Sequence, residues 1–165
     1  MATYTLISSV TVGSGGASTI DFTSIPSTYT DLLVSTSLRI TAAGGGTNIT
    51  FNSNTSNYTN RYIQGDGTSA TSGNNFQRFS EVPNYSTYTS STFSNSQIYI
   101  PNYTSSNNKS YSSDTANENN ATQAYMYLIA GLWSNTSAIT SIQLSPSSGD
   151  FVQYSTAYLY GISNA

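Results

Sequence analysis

The chain has 165 residues, with only four basic and seven acidic side chains, a net charge of −3, and neither cysteine nor histidine. Disulfides, thiolate or imidazole metal sites and an ordinary neutral-pH base are therefore absent, and so few cations leave no electrostatic footprint for nucleic acid or an anionic membrane. Ser, Thr and Asn supply roughly two-fifths of the residues while Lys and Glu are scarce, a composition that disfavours long helices and leaves hydroxyls and amides to wet the surface.

The N-terminus lacks the basic region, apolar segment and cleavage site of a secretory signal, and no run is long enough to span a bilayer. Thr3 to Val12 alternates, with Tyr4, Leu6, Val10 and Val12 on one parity and Thr3, Thr5, Ser9 and Thr11 on the other; only Ile7 breaks the pattern. This predicts a half-buried strand. The loop Gly13 to Ser18 is expected to reverse the chain into a short strand with Ile20 and Phe22 inward, giving a first hairpin. A phosphate cradle would need a following helix, a Lys or a metal-binding partner, and none follows.

Ile25 to Asp31 reads as a turn, broken by Pro26. Leu32 to Thr41 is the next strand, with Leu32, Val34, Leu38 and Ile40 on one face and Leu33, Ser35, Ser37 and Arg39 on the other. Arg39 in mid-strand is expected to form a structural ion pair with Asp114 or Glu118. Beyond the loop Ala42 to Thr47, Ile49 and Phe51 mark a short strand, and Arg61 to Gln64 another, ending at Gly65-Asp66-Gly67. Periodicity fades from Gly67 to Thr92, where Phe76, Phe79, Val82, Tyr85 and Tyr88 supply anchors.

Phe93 to Pro101 is again a strand, with Ile98 and Ile100 on one face and Tyr99 on the other; Asn102 to Asn120 reads as polar connection. Ala124 to Trp133 is the only decapeptide that is almost wholly apolar or aromatic, and it holds the sole tryptophan. A buried helix of that length has no distinguishing period, and the β-rich surroundings decide for a strand covered on both faces. Met126, Leu128, Ala130 and Leu132 would face one way and Tyr125, Tyr127, Ile129 and Trp133 the other, with Gly131 leaving room for a neighbour. Its expected partners are Ala138 to Leu144, with Ile142 and Leu144 inward, and Ser155 to Ile162, beyond the turn Ser145 to Asp150. Trp133 is read as packing. The fold class expected is all-β: a single-domain antiparallel β-sandwich of jelly-roll type over residues 1–165, with eight to ten short strands and negligible helix.

Carboxylates are the only plausible catalytic groups, and a glycosidase needs two flanking a cleft. Asp66, Glu81, Asp114, Glu118 and Asp150 all lie in turn-like contexts where acids are solvated or capping, so no catalytic residue is assigned. Asp114 to Glu118 lacks the ligand density and glycine placement of a calcium loop, so no metal and no cofactor is expected. The eight Asn-X-Ser/Thr sequons, including those at Asn48, Asn102 and Asn135, are what chance gives in such a composition. The interaction surface is expected on the Tyr-bearing loops between Asn57 and Tyr103, at Tyr58, Tyr62, Tyr85, Tyr88, Tyr99 and Tyr103, because Tyr offers rigid contact area with a polar tip.

Several segments, Leu6 to Ala17, Ile25 to Asp31, Tyr99-Ile-Pro-Asn-Tyr103, Ala130-Gly-Leu-Trp133 and Tyr158-Leu-Tyr-Gly-Ile162, together resemble a group of small virion proteins of tailed bacteriophages, many from marine and cyanobacterial phages. The resemblance spans most of the chain and is weakest from Thr68 to Thr92. It implies a structural protein of the virion exterior, made in the host cytoplasm, and it carries no catalytic residues. Within that group, a chain with no fibre-like repeat and a neutral polar exterior fits a capsid decoration or cement protein, self-associating as a trimer. It would bridge subunits of the major capsid protein or other virion proteins through apolar and Tyr-rich edges. The alternative is a tail-fibre or head-fibre domain that binds host-surface glycans, and the remote one a glycan-degrading enzyme.

Overall fold

The computed structural model describes residues 2–74, 78–120 and 124–163. Among these residues there is no helix, and twelve strands form: β1 (Thr3–Thr11), β2 (Ile20–Phe22), β3 (Asp31–Ser37), β4 (Thr47–Phe51), β5 (Tyr58–Gly65), β6 (Ala70–Gly73), β7 (Phe79–Glu81), β8 (Asn95–Ile100), β9 (Lys109–Ala116), β10 (Met126–Trp133), β11 (Ile142–Pro146) and β12 (Thr156–Ser163). They assemble into an eight-stranded sheet, β1-β12-β3-β8-β9-β10-β5-β6, and a four-stranded sheet, β2-β11-β4-β7. All of these pairings are antiparallel. Phe76, one of the expected anchors, lies outside the described residues.

Two levels of organisation are visible in the strand order. Strands β1, β12, β3 and β8 lie in one sheet and β2, β11, β4 and β7 in the other, so the chain alternates between layers as it nests inward. The hairpin β5-β6 leaves between β4 and β7, and β9-β10 leaves between β8 and β11. The two hairpins meet where β10 pairs β5, and together they extend the larger sheet by four strands.

The alternation read from sequence places the core. Ile20, Phe22, Leu32, Val34, Ile49, Phe51, Ile98, Ile100, Ile142 and Leu144 are all buried, joined by Leu159 and Ala157 of β12. Each such aliphatic side chain contributes about 1.5–3 kcal/mol on leaving water. Under the extension the core turns aromatic. Trp133 stacks on Tyr58 with ring centroids 6.1 Å apart and meets Phe51 of β4 at 5.6 Å, while Tyr111 meets the same Phe51 edge-on. Gly131 is what admits Tyr111, because a Cβ there would lie 2.0 Å from the tyrosine ring. A second cluster joins Phe79, Val82 and Ile129 to Tyr62, Tyr85, Tyr125 and Tyr127.

Five expectations are corrected. β1 and β2 do not form a hairpin: β1 pairs β12 and β2 pairs β11, so the Gly13 to Ser18 loop carries the chain between sheets. The register of β1 shifts at a bulge between Leu6 and Ser8, where Ile7 is the extra residue. Because a one-residue slip reverses the faces of a strand, Tyr4 and Leu6 end up exposed while Val10 packs on the core. β10 pairs β5 and β9, not the two C-terminal strands, since alternation fixes which face is buried but not which neighbour is paired. Asn102 to Asn120, expected as connection, contains β9, whose inward residues Lys109, Ser113 and Thr115 are polar. Arg39 lies beyond the end of β3 and makes no ion pair with Asp114 or Glu118; its guanidinium donates to the carbonyls of Thr89 (2.9 Å), Thr92 (3.0 Å) and Tyr88 (3.1 Å).

Candidate docking surface

In an antiparallel sheet, directly paired residues share a face, so the registers assign the outer surface of the large sheet row by row. One row runs Leu6, Tyr160, Leu33, Tyr99, Ser112, Ala130, Arg61 from β1 to β5. The next runs Ser9, Tyr158, Ser35, Gln97, Asp114, Leu128, Ile63, Ser72. A third, shorter row carries Ala116, Met126, Gly65 and Ala70. Among the described residues no second layer covers these rows. Met126 is 70 % exposed, Leu128 and Ile63 are each 59 % exposed, and Leu6, Tyr99 and Tyr158 are also open to solvent.

The expectation that β10 is covered on both faces is therefore corrected. Tyr125, Tyr127, Ile129 and Trp133 do face inward as expected, yet Met126, Leu128 and Ala130 project into solvent. In an antiparallel sheet with one wet face, outward positions are ordinarily polar, and an exposed aliphatic cluster of this kind marks a contact surface. Two shallow grooves flank the ridge made by Ile63 and Leu128. One, of about 360 Å³, has Gly65, Ala70 and Ala116 along it and Asp114 at its rim; the other, of about 590 Å³, has Ser72, Ser112 and Ala130 along it and Arg61 at its rim. Small residues on both sides are what leave the ridge standing.

At the other end of the same face, the surface is aromatic and hydroxylated. Tyr99 donates to Asp31 Oδ2 at 2.7 Å, and the Asp31 carboxylate also accepts the Asn102 N–H at 2.8 Å. The hydrogen bond to the Asp31 carboxylate, with burial adding to it, pushes the Tyr99 hydroxyl up to about 12. This bond holds the ring in one orientation beside Leu33.

Of the six tyrosines expected at an interaction surface, Tyr99 alone is exposed. Tyr58 and Tyr103 are core residues: the Tyr58 hydroxyl accepts the Phe51 N–H at 2.7 Å, and Tyr103 donates to the Pro26 carbonyl. Tyr88 is buried, while Tyr62 and Tyr85 are half-buried in the aromatic cluster, with Tyr85 donating to Gly45 O at 2.7 Å. Burial pushes the Tyr58 and Tyr85 hydroxyls up to about 12. A hollow of about 210 Å³ lies between Phe79, Tyr85 and Tyr127, with Asn48 at its wall.

The carboxylates do not assemble a general acid with a base. Glu81 is fully buried, which pushes it up to about 7, but it lies in the core with Thr36 Oγ1 donating to Oε2 at 2.6 Å. Asp66 and Glu118 do line one groove, of about 500 Å³. There Asp66 is an Asx-turn acceptor for the Thr68 and Ser69 N–H groups, which hold it well below the usual carboxylate range, and Glu118 accepts the Asn120 N–H. No group of three or more His, Cys, Asp or Glu among the described residues could hold a metal ion, and no helix is long and apolar enough to cross a membrane. Of the sequon residues, Asn48 lies within β4, Asn102 takes φ 48°, and Asn135 Oδ1 accepts the Ser137 N–H.

Ile63, Met126, Leu128 and the flanking Arg61 and Asp114 escaped the reading of the tyrosine loops. A signal was present: a strand apolar on both parities needs layers on both sides, and the chain has apolar segments for only two layers. A scan against protein-family models and searches of curated proteins and of solved structures return no match for this chain.

Proposed function

We propose that the protein is a non-enzymatic structural component of a tailed-phage virion, a decoration or cement protein that docks on the outer head surface and bridges neighbouring shell subunits. The observation that carries this reading is the uncovered outer face of the eight-stranded sheet. It is broad, grooved only shallowly, and apolar or aromatic along the first four strands of a row that crosses seven, from Leu6 through Tyr160 and Leu33 to Tyr99. Such a face suits another protein's surface better than a small substrate, which is ordinarily enclosed in a cleft. The nested strand order, β1-β12-β3-β8 over β2-β11-β4-β7, supports the jelly-roll reading, an architecture frequent in viral shells.

The half formed by β1, β12, β3 and β8 is assigned to the shell. Its Tyr4, Leu6, Leu33, Tyr99, Tyr158 and Tyr160 combine rigid apolar area with hydroxyls and only the occupied Asp31 carboxylate, so docking there is insensitive to salt. Many weak contacts repeated over a shell sum to a large stabilisation.

The purified protein added to shells that lack it is expected to bind stoichiometrically and to raise the temperature at which they rupture, and Tyr99→Ala with Leu6→Ser to abolish both. No binding to such shells sinks the reading. The aromatic hollow beside Asn48 favours, as the second reading, a fibre domain that seats a single sugar ring; saturable binding to host-surface glycans without shell binding would establish that instead.

A further inference from the structure

We infer that the aliphatic patch on the β9-β10-β5 extension pairs two copies of this chain, face to face about a two-fold axis. This stands apart from the virion reading and does not require it. Three observations on the same patch converge.

The first is charge placement. Of the four basic side chains, Arg39 is spent on loop carbonyls, Arg78 donates to Thr50 Oγ1 at 2.6 Å, and Lys109 is buried with its ammonium on the Ser105 and Asn107 carbonyls. Among the described residues Arg61 is the one exposed basic side chain, its Nη1 donating to its neighbour's carbonyl, Asn60 O, at 2.7 Å. It sits beside Ala130, whereas Asp114 sits beside Leu128 two strands away, so the two charges occupy opposite corners of a block whose other members, Ser112, Ala130, Leu128 and Ile63, are uncharged. A two-fold operation that lays one Arg61 over Asp114 of the second copy necessarily lays the other Arg61 over the first copy's Asp114. Opposite charges at opposite corners are the self-complementary pattern an isologous interface needs, and they fix its register.

The second observation is shape. The Ile63-Leu128 ridge has a groove on each side, one rimmed by Asp114 and one by Arg61, so under a two-fold the ridge of each copy can enter the same groove of the other. The third is chemistry. Ile63, Met126 and Leu128 form an aliphatic centre, with Leu6 the one other large aliphatic side chain exposed among the described residues, and a central apolar anchor with a charged rim is the anatomy of a protein interface.

The test is sedimentation velocity on the full chain over a range of concentrations, with circular dichroism to show that each variant is folded. A reversible dimer is expected for the wild type. Leu128→Asp should weaken it by about a hundredfold, and Arg61→Asp or Asp114→Arg alone by about tenfold. The double swap, Arg61→Asp with Asp114→Arg, should recover most of that loss, an outcome that a merely structural role for either residue would not produce. A monomer at every concentration, a trimer or dimer that neither single swap disturbs, or a double swap no better than the singles would each overturn the proposal.

Discussion

The eight nested strands and the four-strand extension share a sheet but are built on different chemistry. In the nested part, aliphatic residues from both sheets interlock, and Leu32, Val34, Ile98, Leu144 and Leu159 are wholly buried. The extension packs large rings inward, where Trp133, Tyr58 and Tyr111 converge on Phe51, and it turns Ile63, Met126 and Leu128 outward. The smaller sheet ends at β7, and β5 meets it through rings that span the gap, Tyr58 to Phe51 of β4 and Tyr62 to Phe79 of β7, each with centroids 6.0 Å apart. Rings that reach further than aliphatic side chains fill that gap. The two parts thus differ on both faces, the nested part being aliphatic inside and aromatic outside and the extension the reverse.

The largest expected effect breaks the joint between the two parts. Trp133→Ala should lower stability by about 4 kcal/mol in chemical denaturation, from lost burial plus the cavity left among Phe51, Tyr58 and Tyr111. Trp133→Phe should be much milder, because the Trp133 Nε1 hydrogen has no acceptor among the described residues and its removal relieves an orphaned donor.

Next in size is Glu81, on β7 at the seam. Burial raises its carboxyl from 4.5 to about 7, opposed only by the Thr36 hydroxyl, and Oε1 has no partner among the described residues. The folded state therefore holds this proton where the unfolded state has released it. This group's contribution is most favourable below pH 4.5 and declines as pH rises to about 7, by roughly 3 kcal/mol in all. Glu81→Gln should flatten that slope when unfolding free energy is measured between those limits, and an unchanged slope would show that the carboxyl is not the source.

Arg39 comes third. Arg39→Ala should cost about 2 kcal/mol by freeing the loop whose carbonyls it gathers, with faster hydrogen exchange between residues 86 and 92. Arg39→Lys should recover little of this, since an ammonium cannot reproduce the fork. The smallest effect is the sharpest comparison within one strand. In the monomer, Leu128→Ser should change stability by less than about 0.5 kcal/mol, whereas the adjacent, wholly buried Ile129→Ala should cost about 3 kcal/mol.

Much of the nested part could be read from the sequence because each strand there has one wet face, so Ile20 with Phe22, Ile49 with Phe51 and Ile142 with Leu144 announce themselves by alternation. β9 did not, since three of its four inward residues are polar. They are accommodated by a hydroxyl chain, in which Thr115 donates to Ser96 at 2.9 Å and Ser96 lies 3.0 Å from Ser113, and by carbonyls that enclose the Lys109 ammonium. β6 was invisible for the opposite reason, having nothing apolar to bury beyond Ala70. The exposed face of β10 was misjudged because an apolar run looks the same whether its second face is covered by a layer of the chain or left open. Tyrosine abundance pointed the wrong way too, as most of the tyrosines singled out serve to fill the extension's interior.

The pairing of β10 with β5 also sets an order of events during folding. Tyr58 meets Trp133 and Gly65 meets Met126 across nearly half the chain, and the two hairpins that contribute these strands belong to different loops of the nested part. Closing so long a loop costs entropy that no local contact returns. This separation predicts that the hairpins meet after the nested strands have brought their bases together, so that the surface made by Ile63 and Leu128 is completed late in folding, with slower protection from hydrogen exchange in β5 and β10 than in β3 and β12. Incomplete chains would carry the two halves of that surface apart, which protects them from premature association.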